Sequence, residues 1–285
     1  MAPSNLLFIM SDERNRRVMG CAGHPMIQTP HRDALAARGV RLTDADSNSP
    51  IRVPSRASSA AGCSVHQIGF RDNAVPDGGT VPSWAHRLAE AGHVVTSIGK
   101  LHSRSGTGNA GFTEEVIPPH VADGEGNLLV LIRDGTTPGK TMWKLAEEAR
   151  PGDSSYQSYN DLIVEAAVAW LKRRAAVGEG RPWVLFVSLV CPRFPLVSCQ
   201  EWYNLYSEDA APRPIRYAEA KHPRHSFTEA TRGIAICDEA LTPTRVGRAP
   251  FARPVRARSP ARKRPTRWQG QTTARGSRPS ANERL

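Results

Sequence analysis

Several charged side chains follow directly after short apolar runs of this sequence. Asp12 follows LLFIMS, Lys100 and His102 follow HVVTSIG, and Cys191 and Arg193 follow WVLFVSLV. Apolar runs of this length are typical of buried strands, and sites of open α/β sheets lie beyond the carboxyl ends of strands. A carboxylate can hold a cation, lysine and arginine neutralise oxyanion charge, and histidine donates protons. The set favours sulfuryl or phosphoryl transfer; the alternative is a group of solvated loop charges.

A further candidate is Pro54-Ser55-Arg56, which we expect near a helix N-terminus. Backbone N–H groups and the helix dipole favour an anion at such an end. Arg56 would add a full positive charge there. We interpret Ser55 as a first-turn cap rather than a nucleophile.

The elements that must position these residues alternate between strands and helices. Apolar runs predict strands over 5–11, 93–98 and 183–189, with further strands over 40–46 and 128–133. Proline starts, glycine stops and helical spacing predict helices over 30–38, 54–61, 82–91 and 159–174. The sequence therefore predicts an α/β fold with a mostly parallel sheet flanked by helices, in which 5–11 is a buried strand.

Charge divides the chain into two parts. The net charge is +11, and residues 241–285 hold 12 Lys and Arg but one acid, so residues 1–240 are charge-balanced. We therefore expect a partial globular domain over 1–240 and a disordered Arg/Pro-rich tail over 241–285. The tail is expected to bind nucleic acid only non-specifically.

The sequence shows neither a membrane segment nor a disulfide framework. No apolar run approaches the roughly 20 residues of a membrane span, and the run Leu6–Met10 has no basic residues before it, so we expect no signal peptide. The cysteines at 21, 63, 191, 199 and 237 have no CxxC or metal-binding spacing. We expect a cytoplasmic protein with free thiols.

Four segments in order give the chain a family resemblance: NLLFIMSDERN, TPHRDALAARGVRLTDAD, SPIRVPSRASSAAG and VVTSIGKLH. Over about residues 1–238 the chain resembles the sulfatase family of the alkaline-phosphatase superfamily. It is most similar to bacterial arylsulfatases, choline-sulfatases and phosphonate monoester hydrolases of the cytoplasmic type. The resemblance implies a truncated alkaline-phosphatase-like core. It also implies a small-molecule sulfate, phosphonate or phosphate ester as substrate.

The resemblance implies roles for matched positions. Asp12 matches a carboxylate that holds a divalent cation, calcium or manganese. Arg56 matches the arginine that steadies the nucleophile. Lys100 and His102 match the pair that contacts the sulfate oxygens and the leaving group.

Departures from the family pattern predict an inactive hydrolase. Arg52 stands at the nucleophile position, where the family needs a Cys or Ser that is oxidised to formylglycine, so formylglycine is not possible there. Arg193 replaces a usual histidine, Arg71 replaces an aromatic residue, and the later Asp-His/Asn-Gly segment with further metal ligands is absent.

The three arginine substitutions are each one-base changes in GC-rich codons, and an out-of-frame reading of a GC-rich gene would give the tail. We therefore expect a decayed or frameshifted sulfatase gene. Two alternatives are a non-enzymatic scaffold whose basic tail binds nucleic acid or an acidic partner, and a surviving metal-only phosphatase.

Overall fold

The computed structural model describes residues 4–70, 72–73, 79–101, 109–118, 150–178, 180–193, 196–206, 225–226, 229–230 and 232. Four of the sequence predictions lie outside these residues: the roles of His102 and Arg71, the strand over 128–133, and the tail over 241–285.

The described residues contain short strands and helices in alternation. The strands are β1 (Leu6–Met10), β2 (Val94–Gly99), β3 (Glu114–Val116), β4 (Arg150–Pro151), β5 (Trp183–Ser188) and β6 (Val197–Ser198). The helices are α1 (Pro30–Ala37), α2 (Arg52–Ala61), α3 (Val65–Ile68), α4 (Trp84–Glu90), α5 (Ser155–Val177) and α6 (Gln200–Tyr203), with a 3₁₀ turn at Gly20–Ala22.

The main sheet has four parallel strands in the order β1-β5-β2-β3. Strands β4 and β6 form a separate parallel pair. In the main sheet Met10 is in register with Ser188, and Ser188 with Gly99. The carboxyl ends of β1, β5 and β2 therefore lie side by side, which confirms the predicted parallel α/β sheet.

Two helices cover the central strands. Helix α5 packs on β2 and β5 and buries Ile163 and Trp170. Helix α4 packs on β2, where Ala85 joins Val95 and Val184 in one apolar cluster. Full burial of each large aliphatic side chain contributes about 1.5–3 kcal/mol, so these contacts hold the strand ends in place.

Two strand predictions differ from the structure. Strand β1 is present, but it is not buried: Ile9 is 58% exposed. Within the described part of the chain, β1 pairs with β5 alone. The predicted strand over 40–46 is wrong, because these residues have no regular secondary structure apart from a bend at 43–44, and Val40 is 89% exposed. Sequence periodicity does not show whether another element covers an apolar run.

Helix α2 also differs from its prediction at its start. It begins at Arg52, so Pro54 occupies its third position, and the N-cap is Ile51. Ser55 is not a first-turn cap: its hydroxyl shares a 2.8 Å hydrogen bond with the Ser47 hydroxyl. The helix ends as predicted, at Gly62, whose positive φ and N–H bond to the Ser58 carbonyl terminate it. Among the described residues, no helix is both long and apolar enough to cross a membrane.

Candidate functional site

Asp12 lies two residues beyond β1 and is almost fully buried, at 5% exposure. One carboxylate oxygen, Oδ2, accepts a short hydrogen bond from the Lys100 ammonium. The other, Oδ1, accepts from Arg56 Nη2 at 3.3 Å. A single carboxylate is therefore shared by two cations from different elements.

Lys100 and Arg56 are tied to the carboxyl end of β5 as well. The Lys100 N–H donates to the Ser188 carbonyl at 3.0 Å. Arg56 Nη1 donates to the Lys100 carbonyl at 3.1 Å and to the Ser188 hydroxyl at 3.0 Å. We call Asp12, Arg56, Lys100 and Ser188 the central cluster. It joins helix α2 to the ends of three adjacent strands.

Burial and the neighbouring opposite charges shift the pKa values of the central cluster in opposite directions. Burial alone would raise the pKa of the Asp12 carboxyl, but Lys100 and Arg56 hold it below its ordinary value of 3.8. Burial, together with the charges of Arg193 and Arg56 and against the attraction of Asp12, lowers the pKa of Lys100 to about 8. Burial also lowers the pKa of Arg56. The cluster carries more positive charge than Asp12 balances.

A second ion pair lies beside the cluster. Arg52, the first residue of α2, donates from Nη1 to Glu13 Oε1 at 2.6 Å. Both side chains are partly exposed. Arg52 is therefore paired with the carboxylate of Glu13, the residue that follows Asp12 in the chain.

The loop after β5 completes the described surroundings of the site. Asn160, fully buried on α5, accepts from the Val190 N–H at 2.8 Å and fixes the start of this loop. Arg193 lies over the Tyr156 ring, with its guanidinium carbon 5.5 Å from the ring centroid. Burial, with the charges of Asp161 and Asp12, raises the pKa of the Cys191 thiol to about 11.

The structure brings together three of the predicted site residues, Asp12, Arg56 and Lys100, and places Arg52 next to them on Glu13. His102 lies outside the described residues. Sequence reasoning missed Ser188 and Glu13. Ser188 is the one polar residue in the apolar run WVLFVSLV, and that interruption could have indicated it.

The described residues do not fit a divalent cation. Both Asp12 oxygens are bonded to cationic side chains, and Glu13 is paired with Arg52. Over the described ranges, no group of three or more His, Cys, Asp or Glu residues could hold a metal. Calcium takes 6–8 oxygen ligands.

An apolar cavity of about 340 Å³ adjoins the cluster. Arg56 and Leu101 line it near the charged residues, and aromatic rings line much of the remainder: Phe8, Trp84, Phe112 and Phe186. Trp84 packs edge-on against both Phe112 and Phe186. A cationic end and an aromatic body suit an amphipathic anion.

Comparison with known proteins gives consistent similarities. Residues 4–243 match the family model described as Sulfatase. The chain is 26% identical over 215 residues to a choline-sulfatase of Rhizobium meliloti, covering 72% of this chain and 41% of that protein. It is 35% identical over 98 residues to an N-acetylglucosamine-6-O-sulfatase of Bacteroides thetaiotaomicron, covering 34% and 18%.

The fold is similar to the crystal structure of a phosphonate monoester hydrolase of Agrobacterium radiobacter. The TM-score is 0.54 at 19% identity, over 74% of this chain and 45% of that one. The chain thus spans less than half the length of these relatives.

Proposed function

Because residues 4–243 match its family model, the chain belongs to the sulfatase family, and we propose that it binds sulfate or phosphonate monoesters at the central cluster without hydrolysing them. The observation that carries this proposal is the pair of buried cations, Lys100 and Arg56, around the single carboxylate of Asp12. An ester anion supplies the missing negative charge.

Arg56 is the residue placed to contact the anion. Its side chain is 12% exposed, and it lines the cavity, whereas Lys100 is 2% exposed and lies deeper. The guanidinium has five N–H donors, of which the described contacts use three. The two remaining N–H groups of Arg56 donate to the ester oxygens. The more deeply buried Lys100 attracts the anion by its charge.

The cavity selects the organic part of the ester. A volume of about 340 Å³ lined by aromatic rings accommodates an aryl group, and burial of that group contributes about 25 cal/mol per Å² of apolar surface. Aryl esters therefore bind more tightly than esters of small polar alcohols.

Turnover fails because the site lacks a nucleophile at Arg52. Members of the family generally use a divalent metal and a formylglycine. A guanidinium cannot be oxidised to formylglycine and stays protonated, so it does not attack sulfur. Loss of a covalent nucleophile typically costs several orders of magnitude in rate.

The test combines a binding and a turnover assay on the full chain. We expect calorimetry to detect 4-nitrophenyl sulfate binding, and absorbance to detect no release of 4-nitrophenol above buffer. Ala60→Phe, which fills the cavity, weakens aryl-ester binding and leaves binding of inorganic sulfate unchanged. Arg56→Lys weakens both ligands. Absence of any ester binding by the folded protein refutes the proposal, and so does metal-dependent turnover that Lys100→Gln abolishes.

A further inference from the structure

We infer that this site binds its oxyanion without a divalent cation, because the Lys100 ammonium takes the place of a metal ion on one oxygen of Asp12, and Arg56 binds the other oxygen. The inference rests on the proposed ester-binding function and identifies what balances the charge of the bound anion.

Both carboxylates that could hold a metal are engaged by side chains of the protein. Asp12 is bonded through one oxygen to Lys100 and through the other to Arg56. Glu13 is bonded to Arg52 at 2.6 Å. A divalent cation would have to displace an ammonium and two guanidinium groups, and these would then remain close to it as like charges.

The charge balance favours an anion. Arg56 and Lys100 are two cations beside the single carboxylate of Asp12, so the excess in the central cluster is one positive charge. Arg52 adds no excess, because Glu13 balances it. A sulfate monoester carries one negative charge, which matches this excess.

The N–H donors of Arg56 also suit an anion. Arg56 donates through Nη1 to backbone and hydroxyl oxygens and through Nη2 to Asp12, so its position is fixed before any anion binds. Arginine also forms forked pairs of hydrogen bonds with tetrahedral oxyanions. The site is thus organised in advance by its own ion pairs.

Two measurements on the full chain test this inference without using turnover. The first is calorimetric titration with inorganic sulfate in EDTA, then in excess Ca²⁺, then in excess Mn²⁺. We expect the three dissociation constants to agree within about twofold, since no metal takes part. The second is a titration with Mn²⁺ alone, in which the electron paramagnetic resonance signal of free Mn²⁺ is measured. We expect no loss of that signal.

Matched charge-removing variants test the assignment of charge. Lys100→Gln removes the excess charge, and we expect it to weaken sulfate binding by about tenfold. Arg174→Gln is the control, because it also removes one positive charge, but from the last turn of α5, where Arg174 lies 5.1 Å from the Trp170 ring centroid. We expect it to leave sulfate binding unchanged.

The outcomes separate this inference from the proposed function. Sulfate binding that requires Ca²⁺ or Mn²⁺ overturns the inference and leaves the ester-binding function in place. Equal affinity of the Lys100→Gln and Arg174→Gln proteins for sulfate also overturns it. No sulfate or ester binding under any of these conditions removes both.

Discussion

Replacing Asp12 by asparagine keeps the size of the side chain but removes the only anion in the central cluster. Lys100 and Arg56 then lie buried with no charge to balance them. Removing one partner of a buried ion pair typically costs about 3–5 kcal/mol. We expect Asp12→Asn to lower the free energy of unfolding by this amount at pH 7.

The ability of Lys100 to lose its proton limits that cost. Its ordinary pKa is 10.5, so holding it neutral at pH 7 costs about 5 kcal/mol, at about 1.4 kcal/mol per pH unit. At pH 9 the same limit is about 2 kcal/mol. In the variant the unfolded chain binds a proton that the folded chain lacks, so stability rises with pH up to the unfolded pKa. In the wild type, Lys100 with its pKa of about 8 loses its proton only above that pH, so the destabilisation by Asp12→Asn shrinks mainly between pH 7 and pH 8 and changes little up to pH 9.

Urea denaturation followed by circular dichroism at several pH values measures both effects. Glu13→Gln is the matched control, because it breaks the neighbouring but partly exposed pair with Arg52 and should cost less than about 1 kcal/mol at every pH. Adding Lys100→Met to Asp12→Asn should restore part of the lost stability at pH 7. A loss below about 1 kcal/mol, or a loss that does not change with pH, would refute the reasoning.

Two further substitutions and one alkylation measurement test how the site is supported. Gly99→Ala should cost about 3 kcal/mol in urea denaturation, because φ is +96° and the new Cβ would strike the Ser188 carbonyl and lie 2.7 Å from Ile163 Cδ1. Cys191, with its pKa raised to about 11, should react with iodoacetamide about a hundredfold more slowly at pH 8 than an ordinary thiol, and about tenfold faster per pH unit above that; site-resolved mass spectrometry measures this. Asn160→Leu should cost about 1–3 kcal/mol by the same urea assay, because the buried Val190 N–H loses its acceptor.

The sequence was sufficient for the sheet because its strands are continuous apolar runs followed by polar residues. The runs near residues 6, 94 and 183 became β1, β2 and β5, and their parallel arrangement brought Asp12 and Lys100 together as expected. The exposure of β1 and the absence of a strand over 40–46 could not be predicted. Burial depends on which neighbour covers a run, and the run itself does not report that.

The sequence also could not predict which side chains pair with each other in the site. Asp12 matches a metal ligand of the family, but in the structure its two oxygens accept hydrogen bonds from Lys100 and Arg56. Arg52 was predicted as a substituted nucleophile, and its pairing with Glu13 depends on where α2 begins. The roles assigned to these residues, and to His102, stay predictions.

The shared register of Met10, Ser188 and Gly99 links the site to the alignment of the sheet. A slip of one residue between neighbouring strands moves their ends apart by about 3.3 Å and turns each side chain to the other face. Such a slip in β2 would separate Lys100 from Asp12 and leave two buried charges unmatched. Misaligned sheets are therefore penalised electrostatically, in addition to the loss of apolar packing. Any anion that binds the cluster would select chains whose strands are correctly aligned, and would act on them as a folding ligand.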